Sequence, residues 1–564
     1  MEGTETIKQL LNRLYGEDTG RLAFERIRPL IERLSARKRK KQGYFSQDDV
    51  ILITYGDSIQ TEGRSPIAGL HEFALDYLQG AISAIHFLPF FPYSSDDGFS
   101  VMDFFAIDPT LGSWEDVTAI GKDFELMFDY VLNHFSAKSK WFESYLAGKE
   151  GFREFAIEVD PATDLSQVTR PRSLPLLSEY RKKDGTSVHL WTTFSADQID
   201  FNFKSLDVLE KMIEVLLYYV QQGATILRLD AVAYLWKEIG TNCIHLPQVH
   251  DMVKLFRSIL DVVAPEVAII TETNVPHDEN ISYFGDGRDE AQMVYNFTLP
   301  PLLFYSFVKE DTTILSRWAR GLHLASEHNT FFNFTASHDG IGVRPLEGIL
   351  PPEELTALVN IVTANGGRVS YKQNPDGTES PYELNITYVD AILADQNATR
   401  ADKFLASQAI QYVLPGVPAT YIHSLLGSRN WIGGVEKTGR ARTINREKLQ
   451  AENLLAELED PASFRSRVFY PYLNLIKIRC GQKAFHPNAP FEILELDSRI
   501  FAIKRDADDQ TVYALTNISA AEISLSLSEK VTPGRMTDLI TGDTVNTDLL
   551  TLKPYQYAWL TADK

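Results

Sequence analysis

The sequence has little cysteine, no long apolar segment and far fewer basic than acidic residues. Only Cys243 and Cys480 occur in 564 residues, which gives no disulfide framework and favours a reducing compartment. No apolar stretch approaches the ~18 residues that span a bilayer. The start of the chain, Met1–Lys8, also lacks the basic and apolar regions of a signal peptide. We therefore expect a cytoplasmic protein without membrane segments.

The excess of acidic residues argues against two classes of partner. The net charge is −21, so neither nucleic acid nor an anionic membrane is an expected partner of the surface as a whole. The one basic run, Arg37–Lys41, is predicted to end an N-terminal helix, where positive charge complements the helix dipole. An anionic substrate would therefore need a local cluster of arginine and lysine.

Apolar runs alternate with amphipathic helical stretches through most of the chain. The runs are Val50–Asp57, Ala84–Pro89, Leu126–Val131, Thr225–Asp230, Val267–Glu272, Met293–Phe297, Phe331–Thr335 and Ala419–Ile422. Strands that are buried on both faces have such unbroken apolar sequences, and their alternation with helices predicts a parallel sheet. Eight such strands favour an α/β fold of the closed (β/α)8 type, a TIM barrel, over an open sheet.

Other segments predict additions to this barrel. Apolar residues at helical spacing indicate an N-terminal helical extension over residues 1–45. The gap after the third run is too long for an ordinary loop and predicts an inserted subdomain B at 135–202. A second insertion, residues 340–385, follows the seventh run. Short alternating runs predict an all-β C-terminal domain at 485–564, which leaves 46–134 and 203–484 for the barrel.

Carboxylates and histidines follow the ends of most of these predicted strands. The residues are Asp57, Asp96, Asp97, Asp129, His134, Asp230, Glu272, His338 and Asp339. Because barrel enzymes keep their chemistry at the carboxyl ends of the strands, we expect these side chains to gather on one rim. Arg228 and Asp230 are two residues apart and so point to the same side of a strand. Taken alone, that pair fits a structural ion pair as well as an active site.

This set of residues suits glycosyl transfer with retention of configuration. In that reaction one carboxylate attacks the anomeric carbon while a carboxylic acid protonates the leaving oxygen. Asp230, held ionised by Arg228, is the predicted nucleophile, and Glu272, which follows an apolar run, is the predicted acid. Metal catalysis is the alternative, because Asp, Glu and His also bind cations, but no HExxH motif or close histidine pair supports it.

Four segments, Asp129–His134, Arg228–Asp230, Glu272 and His338–Asp339, resemble the signature motifs of the α-amylase superfamily (glycoside hydrolase family 13). Further segments resemble its sucrose phosphorylase subfamily: Leu88–Pro92, Asp97–Phe99, Thr169–Arg172, His338–Gly342, Leu414–Pro418 and Ile444–Arg446. The resemblance implies that Asp230 forms a β-linked glucosyl intermediate, that Glu272 acts as acid and then base, and that Asp339 stabilises the transition state. Inorganic phosphate would then attack the intermediate and give α-glucose 1-phosphate.

The same resemblance implies roles in substrate binding. Asp96 and Arg442 would bind the far hydroxyl of glucose, His134, Arg228 and His338 would surround the ring, Phe99 would stack on it, and Gln198 would close the site. Arg172 and Tyr382, on two mobile loops, are the candidates for the phosphate and acceptor site. No cofactor and no calcium ion are implied.

The sequence departs from the sucrose phosphorylase pattern around the acceptor. Ser380–Glu383 reads Ser-Pro-Tyr-Glu where that subfamily has Asp-Leu-Tyr-Gln, and Asn274 stands where it has a histidine. These changes and the N-terminal extension resemble the glucosylglycerate phosphorylase family, whose members split 2-O-α-glucosylglycerate with phosphate into glucose 1-phosphate and glycerate. The cations expected to bind the anions are Arg170, Arg172, Arg368 and Lys372. Arg368 and Lys372 fit solvated loop charges at least as well.

Several alternatives stay open at this point. Sucrose, sucrose 6-phosphate and glucosylglycerol phosphorylases differ in the acceptor, and an α-glucosidase would release glucose without phosphate. A non-catalytic sugar-binding barrel would use the same rim for binding alone, although the presence of Asp230, Glu272 and Asp339 argues against it. The expected partners are small molecules, an α-glucoside and inorganic phosphate, and a homodimer is left open.

Overall fold

Eight parallel strands close into a barrel in this structure, a computed structural model that describes residues 2–34, 43–374, 378–394, 400–527 and 534–562. The strands are β1 Ile51–Thr54, β2 Ala84–Phe87, β3 Glu125–Tyr130, β4 Ala224–Leu229, β5 Ala268–Thr271, β6 Met293–Tyr295, β7 Thr330–Phe334 and β8 Val417–Tyr421. Around the barrel their order is β1-β8-β7-β6-β5-β4-β3-β2, and all neighbours are parallel. The predicted TIM barrel is confirmed.

Helices surround the barrel, and further helices precede its first strand and follow its last strand in the chain. They are α1 Glu2–Tyr15, α2 Glu17–Glu32, α3 Pro66–Phe73, α4 Trp114–Ile120, α5 Lys140–Leu146, α6 Leu206–Gln221, α7 Pro247–Val263, α8 His277–Ile281, α9 Leu299–Lys309, α10 Thr313–Arg320, α11 Pro352–Ala364, α12 Tyr388–Leu393, α13 Ala401–Val413, α14 Ile422–Leu425, α15 Ile432–Thr438, α16 Ala451–Glu459 and α17 Phe464–Cys480. None of these described helices is long and apolar enough to cross a membrane.

The barrel strands are apolar because both of their faces are covered. β1, β5 and β8 are buried along their whole length, with the interior on one side and the helical layer on the other. The helices face them with amphipathic surfaces: α6 buries Val208, Met212 and Leu216, and α7 buries Val249, Val253 and Leu260. One core therefore fixes both the strands and the direction in which their ends point.

The two insertions stand over the carboxyl ends of the strands. After β3, the strand His134–Ser136 pairs with Gln198–Asp200, and Leu177–Arg181 pairs with Ser187–Trp191. After β7, the Gly-, Pro- and Asn-rich insertion contains α11 and a three-stranded sheet of Ile341–Gly342, Glu379–Asn385 and Arg368–Gln373. Tyr382 and Glu383 thus lie on a strand and not on the loop expected from the sequence, because that segment pairs on both edges.

An antiparallel sheet follows the barrel and confirms the predicted all-β C-terminal domain. Its strands, in spatial order, are Phe491–Ile493, Ile500–Ala507, Gln510–Asn517, Tyr557–Ala562, Arg535–Asp538 and Thr544–Asn546. A separate pair joins Ile523–Leu525 to Leu550–Leu552. The numerical domain limits expected from the sequence stay a prediction.

The N-terminal extension packs on the outside of the helical layer. α1 and α2 lie against each other, α1 contacts α7, and α2 contacts α6. Arg26 on α2 binds Asp207 of α6 at 2.6 Å, between Nη2 and Oδ1. The basic run Arg37–Lys41 lies outside the described residues.

Arg505 joins the C-terminal domain to the barrel. Its side chain on the strand Ile500–Ala507 is fully buried, and it donates to the carbonyl oxygens of Val413 at 2.8 Å and His486 at 2.6 Å. Val413 is the last residue of α13, where helix carbonyls have no partner within the helix. The guanidinium satisfies one of these carbonyls and complements the negative end of the helix dipole.

We predict that Arg505→Met destabilises the protein by about 2–3 kcal/mol, because buried carbonyl groups lose a charged donor. Thermal unfolding followed by circular dichroism measures the effect. Arg499→Met is the matched control: Arg499 is 41% exposed, pairs with Asp497, and its loss should change little. Equal losses of stability in the two variants would show that Arg505 does not stabilise the contact between the C-terminal domain and the barrel.

Candidate active site

One cavity opens at the carboxyl ends of the barrel strands, and the catalytic and substrate-binding residues expected from the resemblance line it. These residues are Asp96, Phe99, His134, Arg172, Gln198, Arg228, Asp230, Glu272, Asn274, His338, Asp339, Tyr382, Glu383 and Arg442. They come from strand ends, from both insertions and from the segment after β8. The parallel barrel brings them together because all of its strands end on the same rim.

Arg228, at the end of β4, is shared by the acidic groups of the cavity. Its Nη1 donates to Asp230 Oδ1 at 2.7 Å and also binds Asp129 Oδ1, while Nη2 lies 3.9 Å from Glu272 Oε2. Nε donates to the hydroxyl of Tyr295 at 3.1 Å. The ion pair that neutralises Arg228 also fixes Asp230 in the cavity, so a structural ion pair and a role at the site are compatible here.

Burial raises the pKa of both Asp230 and Glu272 to about 7. For Glu272, Arg228 and the N–H of Ala231, 2.9 Å from Oε2, only partly oppose this effect. The guanidinium of Arg228 is much closer to Asp230, at 2.7 Å, than to Glu272, at 3.9 Å. Because the carboxylate nearer the cation ionises first, the pair provides one carboxylate and one carboxylic acid near neutral pH.

Asp339, after β7, is the third acidic group. Arg442 Nη1 contacts its Oδ1, and Arg446 Nη2 lies 3.8 Å away. Burial disfavours the charged form, but these arginines hold the pKa of Asp339 below its usual range. Arg442 also donates from Nε and Nη2 to the carboxylate of Glu383, at 2.9 and 2.6 Å. Asp339 is therefore an ionised carboxylate at the edge of the cavity.

A flat aromatic face and a set of polar atoms also line the cavity. The rings of Phe99 and His338 stack with centroids 4.7 Å apart and 10° between their planes. His134 Nδ1 accepts from Asn133 Nδ2 at 3.3 Å, so its Nε2 carries the proton and donates to the carbonyl oxygen of Phe99 at 2.9 Å. Gln198 donates to Asp96 Oδ2 at 3.3 Å. Apolar faces with few oriented polar groups are typical of small-ligand sites.

Among the described arginines that line the cavity, Arg172 is the one that makes no ion pair. Arg228 and Arg442 each bind two carboxylates, whereas within the described ranges no ion pair or hydrogen bond holds Arg172, which lines the cavity beside Tyr382. The structure thus leaves the Arg172 guanidinium available to an anion.

The other three cations expected at the mouth do not line the cavity. Arg170 donates to the carbonyl oxygen of Leu174, Arg368 donates to the carbonyl oxygens of residues 366 and 367, and Lys372 pairs with Glu347 at 2.8 Å. For Arg368 and Lys372, the alternative of solvated surface charges fits the structure better, and for Arg170 the predicted role at the site is not supported.

Three of the predicted strand-end carboxylates, Asp57, Asp97 and Asp129, lie outside the cavity lining, and Asp129 binds Arg228. Asp57 binds Lys448, and Asp97 binds Arg446. In the part of the chain that the structure describes, no group of three or more His, Cys, Asp and Glu side chains is placed to hold a metal ion. The cavity carboxylates are instead held by arginines.

Sequence reasoning missed Ala231 and Tyr234, which follow the nucleophile candidate. Ala231 has a φ of +49° and directs its N–H to Glu272, and Tyr234 lines the cavity. The backbone contact of Ala231 leaves no trace in residue type. Tyr234 had one available signal, a polar aromatic residue soon after the end of a barrel strand.

Comparison with known proteins agrees with this architecture. Residues 61–341 match the family model "Alpha amylase, catalytic domain", and residues 491–559 match "Maltogenic Amylase, C-terminal domain". The chain is 48% identical to a glucosylglycerate phosphorylase of Spirochaeta thermophila, over 100% of this chain and 99% of the relative. It is 44% identical to that of Escherichia coli, over 99% and 100%.

A solved structure shows the same fold. The sucrose 6F-phosphate phosphorylase of Thermoanaerobacter thermosaccharolyticum is 26% identical, superimposes with a TM-score of 0.73, and covers 84% of this chain and 94% of its own. The chain therefore belongs to the α-amylase superfamily, glycoside hydrolase family 13. Its whole-length similarity lies with phosphorylases of that superfamily.

Two glycines after Asp339 allow close approach of neighbouring side chains. A Cβ on Gly342 would lie 2.6 Å from Asn274 Nδ2, and a Cβ on Gly340 would lie 2.7 Å from Glu383 Cγ and 2.6 Å from the carbonyl oxygen of Leu384. Such distances are too short for non-bonded contacts. Glycine at these two positions therefore lets Asn274 and Glu383 sit against the backbone.

We predict that Gly342→Ala displaces Asn274 and lowers kcat/KM for the α-glucoside about 10- to 100-fold, because small displacements in a binding site are costly. Steady-state kinetics measure it. Gly433→Ala is the matched control, since nothing lies within 4 Å of a Cβ at Gly433. If the two variants have the same kinetics, Gly342 does not position Asn274.

The protonation state of Glu272 predicts a pH dependence. As the acid, Glu272 must carry its proton, and its raised pKa of about 7 means that the protonated fraction falls above that pH. We therefore expect kcat/KM for an O-glucoside to fall about tenfold per pH unit above pH ~7. The limb should vanish in Glu272→Gln, and in the wild type with α-glucosyl fluoride, whose leaving group needs no proton. A limb that persists in Glu272→Gln would assign it to another group.

Proposed function

We propose that this chain is a glucosylglycerate phosphorylase, a retaining hexosyltransferase that converts 2-O-α-D-glucosyl-D-glycerate and inorganic phosphate into α-D-glucose 1-phosphate and D-glycerate. The observation that carries the proposal is the 44–48% identity to such enzymes over the whole chain. The cavity supports it with three carboxylates around one pocket and one arginine open to anions.

In the first step, Asp230 attacks the anomeric carbon of the glucosyl group. The bond from that carbon to O2 of glycerate breaks, and Glu272 gives its proton to the departing oxygen. The product is a β-linked glucosyl ester of Asp230. Arg228, at 2.7 Å from Asp230, keeps the attacking carboxylate ionised and fixes its orientation.

In the second step, phosphate takes the place that glycerate has left. An oxygen of phosphate attacks the anomeric carbon from the face opposite Asp230, and Glu272, now a carboxylate, accepts the proton of that oxygen. The ester bond breaks, Asp230 is released, and the glucosyl group ends with its original α configuration. Asp339, whose charged form is favoured by the neighbouring arginines, stabilises the positive charge that develops on the sugar in both steps.

Glucose and acceptor are bound by different parts of the cavity in this proposal. Asp96, His134 and Arg442 bind glucose hydroxyls, while Phe99 stacks on the ring and Gln198 closes it. Arg172, Asn274, Tyr382 and Glu383 form the acceptor side. The carboxylate of glycerate and the incoming phosphate are both anions, so the unpaired guanidinium of Arg172 can bind each in turn.

We further propose that the enzyme acts in the reducing cytoplasm. Cys243 and Cys480 are both free thiols, which supports this compartment.

A substrate panel tests the function. Glucosylglycerate, glucosylglycerol, sucrose and sucrose 6-phosphate are each incubated with and without phosphate, and glucose 1-phosphate and free glucose are measured. We expect glucosylglycerate to give the highest kcat/KM and a phosphate-dependent release of glucose 1-phosphate. Preference for a neutral glucoside would refute the acceptor, and glucose released equally without phosphate would indicate an α-glucosidase.

The Arg172→Gln variant tests the proposed anion site separately from the rest of the cavity. We predict a loss of about 10²-fold in kcat/KM for phosphate and glycerate, because a charge-assisted contact of about 1.5–3 kcal/mol is removed. Hydrolysis of α-glucosyl fluoride, which needs neither anion, should change little. Arg170→Gln is the control, because Arg170 does not line the cavity. Equal effects of the two variants would contradict the assignment of Arg172 to the anion site.

A further inference from the structure

The segment that follows Asp230 and leads into α7, residues 231–246, is called the strap here, and it is strained. Three of its residues have positive φ without being glycine: Ala231 at +49°, Cys243 at +52° and His245 at +54°. Such conformations cost energy and persist only where the surroundings hold them. The strap matters to the cavity because Ala231 donates to Glu272 and Tyr234 forms part of the wall.

One set of contacts holds the inner face of the strap. Lys237 Nζ binds Asp200 Oδ2 at 2.5 Å and Asn133 Oδ1 at 2.8 Å, and Asn133 in turn donates to His134. His245 Nδ1 lies 2.9 Å from the hydroxyl of Tyr283. These contacts anchor the middle and the end of the strap to the barrel and to the subdomain after β3.

The outer face of the strap is covered by the N-terminal extension. The ring of Tyr15, the last residue of α1, packs on Trp236 with centroids 6.0 Å apart, and its hydroxyl donates to the carbonyl oxygen of Phe203 at 2.8 Å. Trp236 is 5% exposed and immediately precedes Lys237. α1 also packs on α7, where the strap ends, and Arg13 binds Asp251 there at 2.9 Å. α1 thus contacts the strap and the helix that follows it.

We propose that Tyr15 is a positioning residue for the acid: through Trp236, it holds the strap so that the N–H of Ala231 stays on Glu272 and Tyr234 stays in the cavity wall. The N-terminal extension is then part of the catalytic architecture, although none of its described residues lines the cavity. This inference rests on the proposed role of Glu272 as the acid.

Few of the groups around Glu272 belong to the strap. The charged groups that face it are Arg228, Asp230 and Asp339, and the nearby phenols are Tyr234, Tyr295 and Tyr382. Of these only Tyr234 belongs to the strap, together with the N–H of Ala231. Loosening the strap therefore removes a donor to the carboxylate and leaves the other charges in place, which favours the protonated form of Glu272.

The test compares the pH dependence of kcat/KM in three forms of the full-length enzyme. Tyr15→Ala should move the alkaline limb upward by about half a pH unit or more and lower kcat several-fold, because Glu272 loses a hydrogen bond that favours its charged form. Arg26→Met is the matched control: it breaks the ion pair of α2 with Asp207 but makes no contact with the strap. In Arg26→Met, the alkaline limb of kcat/KM should lie at the same pH as in the wild type, even if the midpoint of thermal unfolding falls.

Two further variants keep the result decisive. Trp236→Phe weakens the same contact from the strap side and should shift the limb in the same direction, whether or not Tyr15→Ala folds. Tyr15→Phe keeps the ring and loses only the hydroxyl, so it should recover most of the activity lost in Tyr15→Ala. An unmoved limb in Tyr15→Ala or in Trp236→Phe overturns the inference. A wild type without an alkaline limb would instead refute the role proposed for Glu272.

Discussion

The active site depends on one buried guanidinium, that of Arg228. It is 3% exposed and binds Asp129, Asp230 and Tyr295, with Glu272 at 3.9 Å. A charge so deeply buried would be costly without its partners, and each carboxylate would be costly without the arginine. The residues around Arg228 lie in or directly after β3, β4, β5 and β6, so the cluster is complete only when the barrel closes. Fold and chemistry therefore require each other at this point.

The two sides of the cavity are built differently. The side proposed to bind glucose consists of strand ends and of the first insertion, where buried ion pairs and the Phe99–His338 stack fix the side chains. The side proposed to bind the acceptor uses the second insertion, whose strand Glu379–Asn385 carries Tyr382 and Glu383, and residues such as Asn274 that follow Glu272. Changes on this side would leave the arginine-bound carboxylates Asp230 and Asp339 in place.

Much of this could be read from the sequence, for a physical reason. Continuous apolar runs such as that ending at Asp230 predict strands buried on both faces, and the common direction of barrel strands then predicts that Asp230, Glu272 and Asp339 meet. The resemblance to a known family added the residues of the insertions, including Arg172 and Glu383, which periodicity could not place.

Other features depend on tertiary contacts that no local pattern records. The Gly-, Pro- and Asn-rich segment around Tyr382 was expected to be a loop, but pairing on both edges makes it a strand. Ala231 contacts Glu272 through its backbone N–H, which the positive φ of Ala231 directs, and not through its side chain. Likewise, apolar spacing predicted the N-terminal helices, but only the structure brings Tyr15 onto Trp236. Arg170 could not be distinguished from Arg172 until its partner, the carbonyl oxygen of Leu174, was known.

The most direct measurement of the central claim is the site of covalent glucosylation. Glu272→Gln, treated with α-glucosyl fluoride in the absence of phosphate, forms the intermediate without needing an acid and lacks the base that would help to release it. Proteolysis and mass spectrometry should then find one added glucosyl group on the peptide that contains Asp230, and none in the double variant with Asp230→Asn. A glucosyl group on another carboxylate, or no adduct while turnover continues, would contradict the account.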